Sequence, residues 1–187
     1  MKIYLIRHGK PKIVDNDFYR CHLSEEGINQ TKKLATSGII PKPSLILSSP
    51  YNRAKDTAKA FCDVFEMGFT VKDFLKEWNL QSLNLQEEYA EQEELGWKDQ
   101  GKVVQGGESL NDVKDRITKG IEKLVKQFNL FENIMLVSHG TIIDMFCSSI
   151  LGRNAELSDI KSMNYLEFAI IEFRDGIFTV VKDVIKP

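Results

Sequence analysis

Two histidines in this chain stand in the same local setting, each after a run of apolar residues and before a glycine. His8 lies in the stretch IYLIRHG, and His139 lies in the stretch IMLVSHG. Both apolar runs are typical of buried β-strands. In a parallel sheet the carboxyl ends of the strands open onto one crevice, so we expect His8 and His139 to converge there. The glycine after each histidine lets the backbone approach a ligand closely.

Two arginines are expected at the same crevice. Arg7 directly precedes His8, and Arg53 lies in the first turn of the helix that follows a third strand, LILSSP. Two helices are expected to begin at this crevice, near Pro50 and Thr141, and the N–H groups of their first turns are free. Together with the forked guanidinium groups they form a site for a dianion, and phosphate is the obvious candidate. A neutral nitrogen of His8 can attack phosphorus in line, provided that its other nitrogen holds a proton donated to a backbone carbonyl.

The composition limits the class of protein. Of 187 residues, 42% are hydrophobic and 28% are charged, and the formal net charge is −2. Such a chain suits one domain, residues 1–187, with no bulk positive field to attract nucleic acid. The three cysteines are widely spaced, which indicates neither a disulfide framework nor a zinc ribbon and fits a cytoplasmic protein. We expect no membrane association, because the most apolar helical stretch, Thr141 to Leu151, is too short to span a bilayer.

The elements that must position these side chains alternate along the chain. Apolar runs are separated by helical patterns, which is typical of a layered α/β fold. Ser24 is the predicted N-cap of the first helix, and residues 113–128 carry the apolar face of a strongly amphipathic helix. Asp175-Gly176 predicts a tight hairpin between two C-terminal strands. Most carboxylates between residues 73 and 105 are interpreted as a solvated helix face.

Five short motifs follow one another along most of the chain, from residue 3 to about residue 145. They are Arg7-His8-Gly9, Leu23-Ser24-x-x-Gly27-x-x-Gln30, Ser48-Ser49-Pro50-x-x-Arg53-Ala54-x-x-Thr57-Ala58, Gly107-Glu108-Ser109 and Ser138-His139-Gly140. Together they closely resemble the histidine phosphatase family, the RHG-motif branch of the phosphoglycerate mutase-like superfamily. The resemblance implies a three-layer α/β/α sandwich around a mostly parallel sheet. It also implies catalysis through a phosphohistidine, without a metal or another cofactor.

The resemblance assigns roles to individual residues. His8 would be the nucleophile, Arg7, Arg53 and Gly140 would bind the substrate phosphate, and His139 would both bind the phosphate and act in catalysis. The family places a proton-transferring acid after the third motif, in a loop over the pocket, which implies Glu77.

The acid is less clearly marked than the other residues. One carboxyl group can protonate the leaving alkoxide and later deprotonate the attacking water. The chain departs from the family after Glu77, because Trp78 and Asn79 stand where a glycine-bearing segment usually follows. Glu108 is therefore kept as the alternative acid, although a glutamate at the start of a helix more often caps it.

The segments that would contact the rest of the substrate also depart from the family. After Gly9 many members carry an acidic residue, a small hydroxyl residue and then an asparagine, whereas this chain has Lys10, Pro11 and Val14. One phosphate contact is expected to be missing or supplied elsewhere. Aromatic residues in the flanking loops are predicted either to line the site or to pack in the core. They are Phe18, Tyr19, Trp78, Tyr89 and Trp97.

The expected function is hydrolysis of a small phosphate monoester. A phosphoglycerate mutase is an alternative, although family mutases carry longer insertions. A protein phosphohistidine phosphatase is another, although such small members usually lack the acid loop. A silent phospholigand-binding domain is a non-enzymatic alternative, but it needs no nucleophile such as His8. Gly140 disfavours the acid phosphatase branch, which has an aspartate at that position. The natural substrate and the oligomeric state do not follow from the sequence.

Overall fold

The protein is described by a computed structural model that covers residues 1–13, 20–79, 86–103 and 107–184, with residues 86–89 described by their backbone alone. Its centre is a six-stranded sheet. The strands of this sheet are β1 (Lys2–Arg7), β4 (Leu45–Ser48), β5 (Thr70–Val71), β6 (Asn133–Ser138), β7 (Phe168–Arg174) and β8 (Ile177–Lys182). A separate two-stranded ladder pairs β2 (Pro11–Lys12) with β3 (His22–Leu23).

The order of the strands brings the predicted site together. The sheet runs β5-β4-β6-β1-β7-β8; the first four strands are parallel, and β7 and β8 continue it antiparallel. Arg7 pairs with Ser138 in the register of β1 and β6. The residues that follow this pair, His8 and His139, therefore leave the sheet side by side. The observed topology confirms the predicted α/β fold with a mostly parallel sheet.

Helices cover both faces of the sheet. They are α1 (Glu25–Thr36), α2 (Asn52–Phe65), α3 (Gln86–Lys98), α4 (Leu110–Gln127), α5 (Gly140–Leu151) and α6 (Leu157–Ser162). Alternate residues of β1 enter two hydrophobic cores: Ile3 and Leu5 pack with α4 and α5, and Tyr4 and Ile6 pack with α1 and α2. Because both of their faces are buried, the central strands β1, β4 and β6 are nearly continuous apolar runs. Among the described residues, no helix is long and apolar enough to cross a bilayer.

Local sequence signals fix several element ends as predicted. The Ser24 side chain accepts a hydrogen bond from the N–H of Gly27 at 3.0 Å, which makes it the N-cap of α1. The amphipathic helix predicted over residues 113–128 is α4, and it begins with a capping box between Ser109 and Asp112. Asp175 and Gly176 have φ values of 53° and 82°, so the hairpin between β7 and β8 has two residues in the left-handed region, as a type I′ turn requires.

Gly27 lies where α1 approaches the backbone that follows Gly9. A Cβ at this position would lie 2.3 Å from the carbonyl oxygen of Lys10. That oxygen also accepts the N–H of Ser24 at 2.9 Å, so it cannot move away freely. We expect Gly27→Ala to destabilise the protein by about 1–3 kcal/mol, as other overpacking substitutions do. Denaturant unfolding checks this, and Gly68→Ala is the control, because a Cβ there meets nothing within 4 Å. Equal stabilities of the two variants would contradict the expectation.

Candidate active site

The carboxyl ends of three strands bring three polar side chains together. His8 follows β1, His139 follows β6, and Arg53 lies in the first turn of α2, shortly after β4. The centroids of the two imidazole rings are 5.2 Å apart. Arg53 donates hydrogen bonds to both rings, and all three side chains are buried. The convergence of these residues is therefore a direct result of the parallel register.

The hydrogen bonds of His8 define its tautomer. Nδ1 lies 2.8 Å from the carbonyl oxygen of Gly9, and because a carbonyl only accepts, Nδ1 carries the proton. Nε2 accepts a hydrogen bond of 3.0 Å from Nε of Arg53. Burial lowers the pKa of His8 well below its usual value, and the Arg53 cation lowers it further. The ring is thus neutral near pH 7, with its lone pair on Nε2.

His139 is held in the complementary tautomer. Nη2 of Arg53 donates to its Nδ1 at 3.1 Å, so the proton lies on Nε2, which donates to Oγ of Ser49 at 2.7 Å. Burial, followed by the charge of Arg53, lowers the pKa of His139 well below its usual value. His139 is also the N-cap residue of α5. It therefore stands as a neutral group beside the N–H groups that begin that helix.

Arg7 is anchored by the loop that follows α6. Its Nη1 donates to the carbonyl oxygen of Met163, and its guanidinium carbon lies 4.8 Å from the centroid of the Tyr165 ring. The same ring is 5.7 Å from the ring of His8. Leu166, the next residue, has φ of 65°, a conformation that few side chains adopt. Nε of Arg7 is buried and has no hydrogen-bond partner among the described residues.

Gly140 keeps space open beside Arg7. A Cβ on Gly140 would lie 3.2 Å from the side chain of Ile160 and 3.7 Å from Nε of Arg7. Gly140 is the first residue of α5, and the N–H groups of a first helical turn have no partner within the helix. Such groups bind anions readily. The position predicted for phosphate binding therefore combines a free helix end with room for the guanidinium group.

Glu77 lines the same cavity as His8 and Arg53, which has a volume of about 240 Å³. The carboxyl group is half-buried and accepts the N–H of Trp78 at 2.8 Å. Burial raises the pKa of Glu77; hydrogen bonds from Trp78 and Thr141 and the charge of Arg53 oppose that rise without cancelling it. The cavity thus combines a neutral imidazole with a carboxyl group that holds its proton to higher pH than an exposed one.

Glu108, the alternative acid, is used differently. Its carboxylate forms an ion pair with Arg116, with Oε1 2.7 Å from Nη2 and Oε2 3.0 Å from Nε. The described residues that line the cavity do not include Glu108. Its expected capping role is wrong as well, because Ser109 is the N-cap of α4. The geometry therefore favours Glu77 over Glu108 as the acid.

The acidic segment does not face solvent throughout. Glu91 and Glu94 on α3 are exposed as predicted, but Glu93 is half-buried and lines the cavity, where burial raises the pKa of its carboxyl group. The interpretation of most of these carboxylates as a solvated face thus holds for Glu91 and Glu94 and does not extend to Glu93. The alternation of charged residues carries no signal for which carboxylate points inward.

The predicted aromatic residues are divided between packing and lining. Trp78 is buried and lines the cavity, while Trp97 contacts it edge to face, with ring centroids 6.4 Å apart. Phe18, Tyr19 and the side chain of Tyr89 lie outside the described residues, as does Val14.

Several site residues were missed by the sequence reasoning. Thr57 accepts the N–H of Gly9 at 3.0 Å and donates to the carbonyl of Arg53, and Ser49 accepts from His139. Both lie inside the third motif, so their positions carried a usable signal. Tyr165 belongs to no motif, and nothing local marks it.

Comparisons with known proteins agree with this arrangement. A family model described as Histidine phosphatase superfamily (branch 1) matches residues 3–185. The adenosylcobalamin/alpha-ribazole phosphatase of Escherichia coli (strain K12) is 26% identical over 167 residues, which cover 83% of this chain and 82% of that protein. The 5''-phosphoribostamycin phosphatase of Niallia circulans is 27% identical over 176 residues, which cover 83% of this chain and 81% of that protein.

A solved structure supports the fold. Mycobacterial glucosyl-3-phosphoglycerate phosphatase in complex with inorganic phosphate superposes with a TM-score of 0.79 at 22% identity, covering 98% of this chain and 96% of that one. This likeness supports the same architecture, and the family match extends over nearly the whole sequence. The chain therefore belongs to the histidine phosphatase superfamily, branch 1.

Proposed function

We propose that this protein is a phosphatase that hydrolyses a small phosphate monoester through a phosphohistidine on His8. The observation that carries the proposal is the state of His8 in the cavity. Its Nδ1 proton is bound to the carbonyl of Gly9, and its Nε2 lone pair is available once Arg53 turns its N–H toward the substrate. A neutral imidazole of this kind is a competent nucleophile toward phosphorus.

The first step transfers the phosphoryl group to the enzyme. Nε2 of His8 forms a bond to phosphorus as the bond from phosphorus to the leaving oxygen breaks. Glu77 gives its proton to that oxygen, so the leaving group departs as an alcohol. Arg7, Arg53, His139 and the N–H groups that begin α5 at Gly140 bind the three remaining phosphoryl oxygens. All of these groups surround the cavity before the substrate enters, and Arg53 and His139 exchange their present hydrogen bonds for the phosphoryl oxygens. Donors held this close to the developing charge lower the barrier.

The second step restores the enzyme. Water attacks phosphorus in line with the P–N bond and loses a proton to the Glu77 carboxylate. The P–N bond breaks, and its electron pair returns to Nε2 of His8. Inorganic phosphate then leaves, and both residues are back in their starting states. No step needs a metal, because guanidinium and N–H donors carry the stabilisation of charge.

The cavity favours a small, polar leaving group. Its volume is about 240 Å³, and its walls beyond the histidine include Trp78, Glu93 and Tyr165. The similar proteins of Escherichia coli and Niallia circulans are named as an adenosylcobalamin/alpha-ribazole phosphatase and a 5''-phosphoribostamycin phosphatase, and neither name refers to a protein substrate. A carboxyl group beside the nucleophile also suits an ester, whose alkoxide needs a proton, better than a phosphoramidate. Hydrolysis of small esters is therefore preferred to the protein phosphohistidine phosphatase and to the silent binding domain.

The direct test is hydrolysis of 4-nitrophenyl phosphate by the wild-type protein, with and without a metal chelator. We expect steady turnover that is unchanged by the chelator and inhibited competitively by inorganic phosphate. Turnover that the chelator removes and a divalent ion restores would contradict the metal-free mechanism. Absence of turnover on both aryl and alkyl monoesters would contradict the phosphatase assignment and favour a mutase or a binding domain.

A further inference from the structure

The loop that carries Glu77 is bound by a half-buried ion pair at the start of α4. Glu108 lies just before this helix, and Arg116 lies within it. The two side chains are 16% and 18% exposed, and they share two parallel hydrogen bonds of 2.7 Å and 3.0 Å. This bidentate geometry fixes the plane of the guanidinium as well as its position. The pair is therefore a rigid support.

Arg116 also holds the backbone before Glu77. Its Nη1 donates to the carbonyl oxygens of Phe74 and Lys76, each at 2.9 Å. The carbonyl oxygen of Leu75, between them, accepts a hydrogen bond of 2.8 Å from the hydroxyl of Ser138. Three successive carbonyls are thus each bound by a side chain. We call residues 74–79 the acid loop.

Glu108 holds the other end of the acid loop. Its backbone carbonyl accepts a hydrogen bond of 2.7 Å from the indole N–H of Trp78, and its carboxylate accepts one of 3.4 Å from the backbone N–H of Asn79. Since Ser138 directly precedes His139, the loop is tied to the strand that delivers a residue of the phosphate site. Glu77 lies between two fixed ends.

We propose that Glu108 and Arg116 are positioning residues that fix the carboxyl group of Glu77 over the leaving oxygen. The inference rests on the proposed function, in which Glu77 is the acid. Neither residue occurs among the described residues that line the cavity, so their effect passes through the loop. Proton transfer depends steeply on position, and a displacement of about 1 Å can cost about 100-fold in rate.

A double-mutant cycle tests this proposal. Glu108→Gln, Glu77→Gln and the double variant are compared by kcat/KM on phenyl phosphate and on 2,4-dinitrophenyl phosphate, whose leaving group needs no proton. We expect Glu108→Gln to lower kcat/KM about 10- to 100-fold on phenyl phosphate and far less on the dinitrophenyl ester. In the Glu77→Gln background, Glu108→Gln should cause no further loss in kcat/KM. Asp115→Asn, which breaks an exposed pair with Lys119 on the same helix, should leave both values unchanged.

The outcomes separate the inference from the proposed function. An equal loss on both esters, or a full further loss in the Glu77→Gln background, would overturn the positioning role and leave Glu77 as the acid. Full activity of Glu77→Gln on phenyl phosphate would overturn both the positioning role of Glu108 and the assignment of Glu77 as the acid. Thermal unfolding of each variant shows whether it is folded. If Glu108→Gln does not fold, Arg116→Lys replaces it in the double-mutant cycle. This substitution keeps the positive charge but removes the bidentate hydrogen bonds, and the same pattern of kcat/KM values is expected.

Discussion

A His8→Gln variant is expected to lose about 10⁴-fold or more in kcat toward every phosphate monoester, because a missing nucleophile removes the covalent route altogether. Glutamine fills a similar volume and keeps a polar group near Gly9 and Arg53, so the fold should be retained. The amide nitrogen has no available lone pair to attack phosphorus. Steady-state assays give the loss in rate. Rapid quenching of the wild type with labelled substrate should trap a phosphoenzyme that is stable to base and labile to acid, as a phosphoramidate is.

The third histidine of the chain supplies the matched control. His22 lies on β3 and is 67% exposed, with Nδ1 2.9 Å from a carboxylate oxygen of Asp56. His22→Gln removes the same chemical group outside the cavity and should keep full activity and full labelling. Labelling that survives His8→Gln, or that disappears in His22→Gln, would contradict the assignment of the nucleophile.

The convergence of His8, Arg53 and His139 was predictable because it depends mainly on how the strands pair. Two strands of the same pattern end in His8 and His139, and parallel pairing brings their ends to one edge. The register of Arg7 opposite Ser138 then leaves little freedom to the residues that follow. Arg53 was predictable for the same reason, since a helix that begins at that edge must present its first turn there. Short motifs sufficed because the backbone does the positioning.

The contacts of Arg7 were not predictable from local pattern. Met163 is 156 positions away in the sequence, and it reaches Arg7 only because β7 returns antiparallel beside β1. The loop between α6 and β7 carries no motif, and α6 has only six residues. The turn of Leu166 into the left-handed region is not signalled either, because leucine rarely takes it. Long-range pairing, not propensity, places this part of the site.

The acid loop shows why a residue can be singled out from the sequence while its contacts cannot. The resemblance to the family ranked Glu77 before Glu108, but no local pattern around the two glutamates distinguishes them. The difference lies in their partners. Arg116 takes both carboxylate oxygens of Glu108, whereas Glu77 faces the cavity, where burial raises its pKa. The three-dimensional pairing is therefore what supports Glu77 as the proposed proton donor and Glu108 as the proposed positioning residue.

Glu77→Gln is expected to have the second largest effect, and one that depends on the leaving group. On phenyl phosphate kcat/KM should fall about 10²- to 10⁴-fold, because the leaving oxygen departs without a proton. On 2,4-dinitrophenyl phosphate the first step should stay fast, while hydrolysis of the phosphohistidine slows for want of a base. A stopped-flow trace should then show a burst of dinitrophenol close to the enzyme concentration. Glu94→Gln, an exposed neighbour of the cavity residue Glu93, should show no change.

The pH dependence of kcat/KM tests the role of Glu77 independently. Burial raises the pKa of Glu77 above its usual 4.5, and the first step needs the protonated acid. With the ionisation of the substrate phosphate taken into account, kcat/KM on phenyl phosphate should fall as pH rises through this raised pKa. His8, whose pKa is lowered well below 6.5, stays neutral over that range and limits activity only at lower pH. Glu77→Gln should abolish the alkaline decline and keep the acidic one. An alkaline decline that survives in this variant would assign the proton to another group, and Glu93 is the other carboxyl group among the described residues that line the cavity.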